Sequence, residues 1–543
     1  MRRSIRESDG SLHHNPGRGP GTLARDDPAA AAESLDASDR HNRCDRCGAR
    51  RWTGVRRGAS HNRNGRLERC FRFPKAEPFL MLRERIYERL PVALQNAAVS
   101  FEGWRLKRLR FNAEFFRILA EYEKRMFASR DEVCGLRDRR IAEFVAHAAA
   151  TTPYYRQSFA RLGIDPQEIR GLADLARLPV LTKAEVQADS ARFLSEAYLG
   201  AATVPVHTSG STGAGLRFPA AIRGNREHWA VWYRYYRWHG IDYGTPCIHF
   251  GGRSVVPIEQ SRPPFWRYNR ALGQLLLSAY HLSDATAASY LAAMREFDAP
   301  WIHGYPSFVA LAAGYALELG VRLNIRYVTL CAENVLPQQE DLIEAAFGVR
   351  PLQHYGMAEG VANASMCPQR KLHIDEDFAA WEFVEEPDAV TSIVGTNFAN
   401  PAFPLIRYKV GDTATFDPAA TCDCGRPGRI VDAIDGRQED YIVTDKGARI
   451  GRLDHVFKDM VHVREAQLVQ DEPGRMTVRI VKGPGYTDDD ERRLRAEMRA
   501  RVGEDVSFDV AYVDAISRTS RGKLRFVVSS LASGKIGVGT PLS

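Results

Sequence analysis

Four short apolar runs constrain this chain more than any other feature: Pro246–Gly252 (PCIHFGG), Ala299–Ser307 (APWIHGYPS), Arg326–Asn334 (RYVTLCAEN) and Val349–Gly356 (VRPLQHYG). Several of them end in Gly, Asn or Pro, where a strand gives way to a loop. Stretches with apolar residues at three- and four-residue spacing separate them, and the alternation continues to about residue 435. Strands alternating with helices predict an α/β architecture whose ligands lie beyond the carboxyl ends of the strands. Residues 81–159 read as helical throughout. From Asp435 the texture changes to two apparent hairpins, DGRQEDYIVTDKGARIG and AQLVQDEPGRMTVRIV. The expected organisation is therefore a large, multi-subdomain α/β domain over 81–435 and a small, mobile α+β domain over 436–543.

Residues 1–80 are different. They hold 17 Lys and Arg against 10 Asp and Glu, leaving 58 against 57 for the rest of the 543-residue chain. The net charge of +8 thus belongs to a polar tail that reads as disordered, and the near-neutral body argues against a nucleic-acid binder. Cys44, Cys47, His61 and Cys70 are spaced too irregularly for a zinc module. The helical pattern opens abruptly at Met81, so a start of translation there is the plainer reading, with the tail as upstream sequence. No run of about 18 apolar residues is present, which predicts no membrane span. Nine cysteines without dense spacing point to a reducing compartment, and the cytoplasm is the expected location. Trp104 opens a basic amphipathic piece, WRLKRLRF, which reads as a solvated helix face rather than a membrane contact.

The stretch HTSGSTGAG, His207–Gly215, follows the apolar TVPV of residues 203–206. Glycines let backbone N–H groups converge on an anion, and Ser and Thr hydroxyls add donors. The loop ends in Gly213-Ala214-Gly215 rather than Gly-Lys-Ser/Thr, so it is not a Walker loop. Four further segments carry chemistry. QHYGMAEG offers Tyr355 for stacking and Glu359 as an oxygen ligand for magnesium. RYKVGDTATF sets Asp412 on a glycine turn, suited to accept hydrogen bonds from ribose hydroxyls. GRQED holds Arg437 at the domain junction, and SRTSRGKLRF holds Lys523 in a basic loop near the C-terminus.

In this order the five segments resemble the adenylate-forming superfamily, and the resemblance covers roughly Met81 to Phe526. HTSGSTG, CAEN, Cys422-x-Cys424-Gly-Arg, DGRQED and RTSRGK are most similar to the phenylacetate–coenzyme A ligase-like group. The helical opening YERLPVALQNAAVS resembles its capsular polysaccharide biosynthesis branch. The resemblance implies ATP-dependent activation of a small carboxylic acid as acyl-adenylate with release of pyrophosphate. Transfer to a thiol, coenzyme A, follows; an amine of an amino sugar or amino acid is the alternative acceptor. It implies that Thr208, Ser209, Gly210, Ser211, Thr212 and Gly213 grip phosphates, and that Glu359 places Mg2+. Ala332, Glu333 and Asn334 would border the adenine, with Tyr355 and Gly356 beside them. Asp412 and Arg437 would bind ribose, and Lys523 would stabilise transition-state charge. Where the superfamily carries Asp or Lys at its hinge, this chain has Glu439. His249, Trp301, Tyr305 and Tyr355 fall in the expected acyl region. An intact Glu359 and Lys523 speak against a non-catalytic nucleotide-binding scaffold. Separately, Cys367, His373, Cys422 and Cys424 offer three thiolates and one imidazole, a set suited to structural zinc.

Overall fold

The computed structural model describes residues 86–531, apart from 209–215, 252–254, 258–259, 279–280, 387–390, 438–441, 446–448, 451–452, 458–459, 461, 484, 504–505 and 519–523. Four helices open it: α1 (Val92–Arg110), α2 (Ala113–Lys124), α3 (Arg130–Thr151) and α4 (Pro153–Leu162). Their boundaries are written locally. The Asn112 side chain accepts the Phe115 N–H, Ser129 and Glu132 form a reciprocal capping box, and α4 runs from Pro153 to a left-handed Gly163. The expected helical opening is thus present; the tail of residues 1–80 lies outside the described residues.

Next come β1 (Thr203–His207), β2 (Arg217–Ala221), α5 (Ile222–Trp238), β3 (Cys247–Phe250), β4 (Trp266–Asn269) and β5 (Gln274–Leu277). These are followed by α6 (Ala287–Phe297), β6 (Trp301–Gly304), α7 (Pro306–Glu318), β7 (Tyr327–Cys331), α8 (Pro337–Phe347) and β8 (Leu352–Gly356). Antiparallel strands then accumulate: β9 (Asn363–Met366), β10 (Leu372–Ile374), β11 (Ala380–Glu385), β12 (Thr391–Thr396), β13 (Tyr408–Thr415), β14 (Ile430–Val431) and β15 (Ala433–Arg437). All four apolar runs singled out in the sequence are strands of one nine-stranded sheet, ordered β14-β10-β9-β8-β7-β6-β3-β5-β4. Its centre, β5-β3-β6-β7-β8, is parallel. Parallel strands need both faces covered. Ile248, Phe250, Ile302, Val328 and Leu330 pack into one core with α6 and α7, while Cys247 and Trp301 pack against Tyr235 and Tyr236 of α5.

A buried ionic layer ties α5 and α3 to the segment after β10. Arg234 meets Asp375 at 2.6 Å and Asp377 at 2.8 Å, and Arg137 meets Glu376 at 2.7 Å. Such pairs set geometry more than they add stability, because desolvation offsets most of the attraction.

The small domain contains β16 (Ile442–Val443), β17 (Arg449–Ile450), β18 (Val463–Glu472), β19 (Arg475–Lys482), α9 (Asp488–Val502), β20 (Ser507–Tyr512) and β21 (Val527–Ser529). The β18–β19 hairpin is flanked by parallel β20 and β21, and Leu468, Val478, Ile480, Leu494, Met498 and Val527 form its core. The second apparent hairpin in the sequence is therefore β18–β19. The first is shared: β15 pairs with β13 of the large domain, and β16 pairs with β17 beyond it. The architecture is a large α/β domain with a smaller α+β domain at its C-terminal end. No helix among the described residues is long and apolar enough to cross a membrane.

Candidate active site

The antiparallel β1–β2 hairpin closes the hydroxyl-rich loop at its base, with His207 opposite Arg217. Thr208 is buried, and its Oγ1 accepts the Leu216 N–H at 2.8 Å while its own N–H bonds the Leu216 carbonyl. That hydroxyl clasps the mouth of the loop. Ser209, Gly210, Ser211, Thr212 and Gly213 lie outside the described residues.

The carboxyl ends of β6, β7 and β8 hold the next group. After β7, Ala332 takes a left-handed conformation with φ of 69°, a costly choice for a residue with a Cβ. Glu333, next in the chain, accepts the Ser307 N–H at 3.1 Å and the Leu524 N–H at 2.9 Å. Leu524 follows Lys523 directly; Lys523 itself lies outside the described residues. On the other flank of that segment, Arg518 donates to Ser307 Oγ at 2.8 Å, pairs with Glu465 and lies over the Phe308 ring at 4.3 Å. Both ends of the lysine segment are thus anchored at the ends of β6 and β7. Asn334 is exposed.

At the end of neighbouring β8, Tyr355 donates to Asp412 Oδ2 at 2.6 Å and meets Trp381 edge-on at 5.5 Å. A Cβ on Gly356 would approach Asn363 Oδ1 to 2.7 Å, so any side chain here must displace that buried amide. Asp412 stands opposite Arg437 across β13 and β15; two residues named separately from the sequence are cross-strand partners in backbone register. Glu359 is buried, and its carbonyl accepts from Asn397 Nδ2 at 3.1 Å.

Toward α5 the sheet presents histidines. His249 and His303 are opposite one another on β3 and β6, with rings stacked at 5.2 Å. His303 Nδ1 lies 2.8 Å from Thr329 Oγ1, which also accepts from Trp301 Nε1 at 2.8 Å. Its Nε2 lies 3.6 Å from Cys331 Sγ. Trp232 of α5 covers His354, ring centroids 3.7 Å apart. Burial pushes His249 down to about 4 and His303 to about 3, the latter helped by its histidine neighbour. Both are neutral at pH 7. Trp301 is therefore a buried wall residue with its N–H satisfied, while Tyr305 caps α7 and stacks on Phe308.

A second centre joins the turn after β9, strand β10 and the loop before β14. Ligand atoms of Cys367, His373, Cys422 and Cys424 all lie within 4.8 Å of one another. Cys367 Sγ is 3.7 Å from Cys422 Sγ, and Cys424 Sγ is 3.4 Å from His373 Nε2. A tetrahedral zinc with sulfur at ~2.3 Å and nitrogen at ~2.0 Å needs edges of about 3.8 and 3.5 Å. His373 Nδ1 lies 3.1 Å from the Gly428 carbonyl, leaving Nε2 toward the cluster. Gly425, with φ of 71°, turns the Cys422–Cys424 knuckle. The donor set can hold a metal ion.

Residues 442–530 match the family model of the CapK C-terminal domain. The chain is 24% identical to Protein CapK of Staphylococcus aureus over 455 residues, which is 82% of this chain and 99% of that protein. It is 26% identical to the phenylacetate–coenzyme A ligase of Thermus thermophilus over 58% of this chain and 72% of the ligase. Among solved structures, 2-hydroxyisobutyryl-CoA ligase in the postadenylation state has the same fold. The TM-score is 0.60 at 17% identity, covering 75% of this chain and 91% of that one. The chain belongs to the adenylate-forming superfamily. Two further residues carried no obvious role in the sequence. Asn397 bonds the Glu359 and Phe403 carbonyls, and Asn400 accepts the Ala221 N–H and donates to the Pro219 carbonyl. Together they tie the Glu359 loop to β2, the second strand of the hairpin that flanks the hydroxyl-rich segment. The run NFANP between two apolar segments was their signal in the sequence.

Proposed function

We propose that the protein activates a carboxylic acid with ATP and passes the acyl group to a thiol, with coenzyme A as acceptor. A substrate carboxylate oxygen attacks the α-phosphorus and pyrophosphate leaves; the thiol sulfur then attacks the acyl carbonyl and AMP leaves. The observation that carries this reading is the pair of backbone N–H groups on Glu333. It brings the residue following Lys523 to the strand ends where Tyr355 meets Asp412.

In this reading Thr208–Gly213 hold the departing phosphates, and Lys523 neutralises charge on the carboxylate and α-phosphate as it develops. Ala332, Glu333 and Asn334 border the base, Tyr355 and Gly356 the nucleotide, and Asp412 and Arg437 the ribose. Glu359 would hold Mg2+, which when bound offsets phosphate charge. Asn397, on the Glu359 carbonyl, keeps that loop in register with the phosphate hairpin. The neutral histidines and Trp232 wall the acyl side. Cys367, His373, Cys422 and Cys424 would hold zinc, and four protein ligands make that site structural.

A second reading is transfer to an amine. It is favoured by 28% identity over 134 residues to the indoleacetate–lysine synthetase of Pseudomonas savastanoi. Pyrophosphate release across a panel of carboxylic acids, with coenzyme A or amines added, tests both. Release with thioester formation supports the first reading and release with amide formation the second. ATP binding without pyrophosphate release for any acid counts against each.

A further inference from the structure

Helix α1 is built inside out. Its inner face is polar and works as a cap on the edge strand β4: Asn96 Oδ1 accepts the Tyr268 N–H at 2.9 Å, and Ser100 Oγ donates to the Tyr268 carbonyl and accepts the Arg270 N–H, each at 3.1 Å. Gln95 Oε1 accepts from Arg267 Nε at 2.6 Å, and Gly103 makes room for Asn269, whose Oδ1 would lie 2.1 Å from any Cβ there. A sheet edge must have its N–H and C=O groups satisfied, and here side chains do it. Leu94, Phe101 and Trp104 consequently face outward, while Val99, Leu106 and Leu109 are partly buried. Leu94 is 52% exposed, Phe101 65% and Trp104 43%. Phe101 and Trp104 stack at 5.8 Å, and the Arg108 guanidinium lies 4.3 Å over the Trp104 ring. Lys107 approaches the Tyr243 ring, which contacts half-exposed Phe116.

Charge decides what covers this face. The exposed charges of the helix are Arg105, Lys107 and Arg108 against Glu102, which pairs with Arg105, while Arg110 turns in over the Trp229 ring. A second copy would set cations against cations. Residues 1–80, with 17 basic and 10 acidic side chains, are also a poor match. Aromatic rings flanked by Lys and Arg on an exposed helix suit the headgroup region of an anionic bilayer, where rings enter the interface and cations meet phosphates. We propose that the outer face of α1 docks the protein on an anionic membrane surface, as a peripheral contact that crosses nothing.

The test is flotation of the full-length protein with phosphatidylcholine vesicles, with and without phosphatidylglycerol. Binding to the anionic vesicles should exceed binding to neutral ones and weaken with salt. The double variant Phe101→Ser/Trp104→Ser should bind at least about tenfold less. Lys107→Glu/Arg108→Glu should lose binding similarly, and it provides the comparison if the first variant fails to fold. Equal binding to both vesicle types overturns the proposal. So does anionic binding unchanged in both variants, which would assign the attraction to the arginine-rich residues 1–80. A dimer in sedimentation equilibrium that the variants dissociate, without vesicle binding in the wild type, also overturns it and gives the face to a second copy.

Discussion

Glu333 and Leu524 are joined by a 2.9 Å hydrogen bond from the Leu524 backbone N–H to the Glu333 carboxylate, whose other oxygen accepts the Ser307 N–H. One side chain thus couples the end of β7, the start of α7 and the residue after Lys523. Because both oxygens are engaged by donors, an amide cannot replace the carboxylate: one of its two ends would set N–H against N–H. Hydrogen bonds to a charged group contribute about 1.5–3 kcal/mol each. Glu333→Gln should therefore slow acyl-adenylate formation by about tenfold or more, and Glu333→Ala should do at least as much. ATP–pyrophosphate exchange measures this directly. An unchanged exchange rate in both variants would show that the contact does not serve the first half-reaction.

The cluster of Cys367, His373, Cys422 and Cys424 can be tested without an activity assay. Purified protein should contain about one zinc per chain. Cys422→Ser removes the ligand that lies 3.7 Å from Cys367, and it should lower both zinc content and melting temperature. Chelation of the wild type should reproduce the loss of stability. Full zinc occupancy in Cys422→Ser would remove this residue from the ligand set.

The paired histidines predict an acid-side weakness. His249 and His303 sit in the fold with values pushed down to about 4 and about 3, against about 6.5 in the unfolded chain. Between pH 6.5 and 4 the unfolded state binds more protons, so stability rises with pH through that window and falls as pH drops. From pH 7 to 5 each histidine should cost about 2 kcal/mol. Asp375, held up at about 6 by burial, works in the opposite direction, so the difference between proteins is the informative quantity. In His249→Asn/His303→Asn the loss of urea-unfolding free energy between pH 7 and 5 should shrink by a few kcal/mol. An equal loss in both proteins would show that these rings stay accessible to protons.

What could be read from the sequence follows the physics of each feature. The strands of the parallel sheet were legible because two-sided burial forces short apolar runs that end at turn residues. The Cys367, His373, Cys422 and Cys424 set was legible because ligand chemistry depends on residue type. Glu333 as a latch was not, since its partners are the backbone N–H groups of Ser307 and Leu524, which carry no sequence signature. The His249–His303 stack depends on the register of β3 against β6, fixed by packing between residues far apart in the chain. Spacing in α1 announced a helix but not its orientation. Asn96 and Ser100 bond the edge strand, and that reversal of faces exists only once β4 is in place.

The last prediction concerns Lys523. Arg518 on Ser307 and Leu524 on Glu333 anchor the two flanks of its segment at the ends of β6 and β7; Arg464 of the small domain also pairs with Asp284, and Gln338 of the large domain donates to the Phe457 carbonyl. Arg464 also pairs with Glu318 and lies over the Tyr315 ring, so a rotation of the small domain between half-reactions would have to break these contacts. If the lysine acts only in the first, Lys523→Ala should lower acyl-adenylate formation by about a hundredfold or more, in line with other transition-state charge contacts. The same variant, supplied with synthetic acyl-adenylate, should transfer the acyl group to coenzyme A at a near-normal rate. A lysine without a role leaves both rates unchanged, and a folding defect lowers both. Arg518→Ala sharpens the comparison. It keeps Lys523 but removes the donor to Ser307 Oγ, so it should slow the first step less than Lys523→Ala and leave the second untouched. Equal losses in both half-reactions for Lys523→Ala, in a protein with normal circular dichroism, would rule out a lysine that serves one step and then departs.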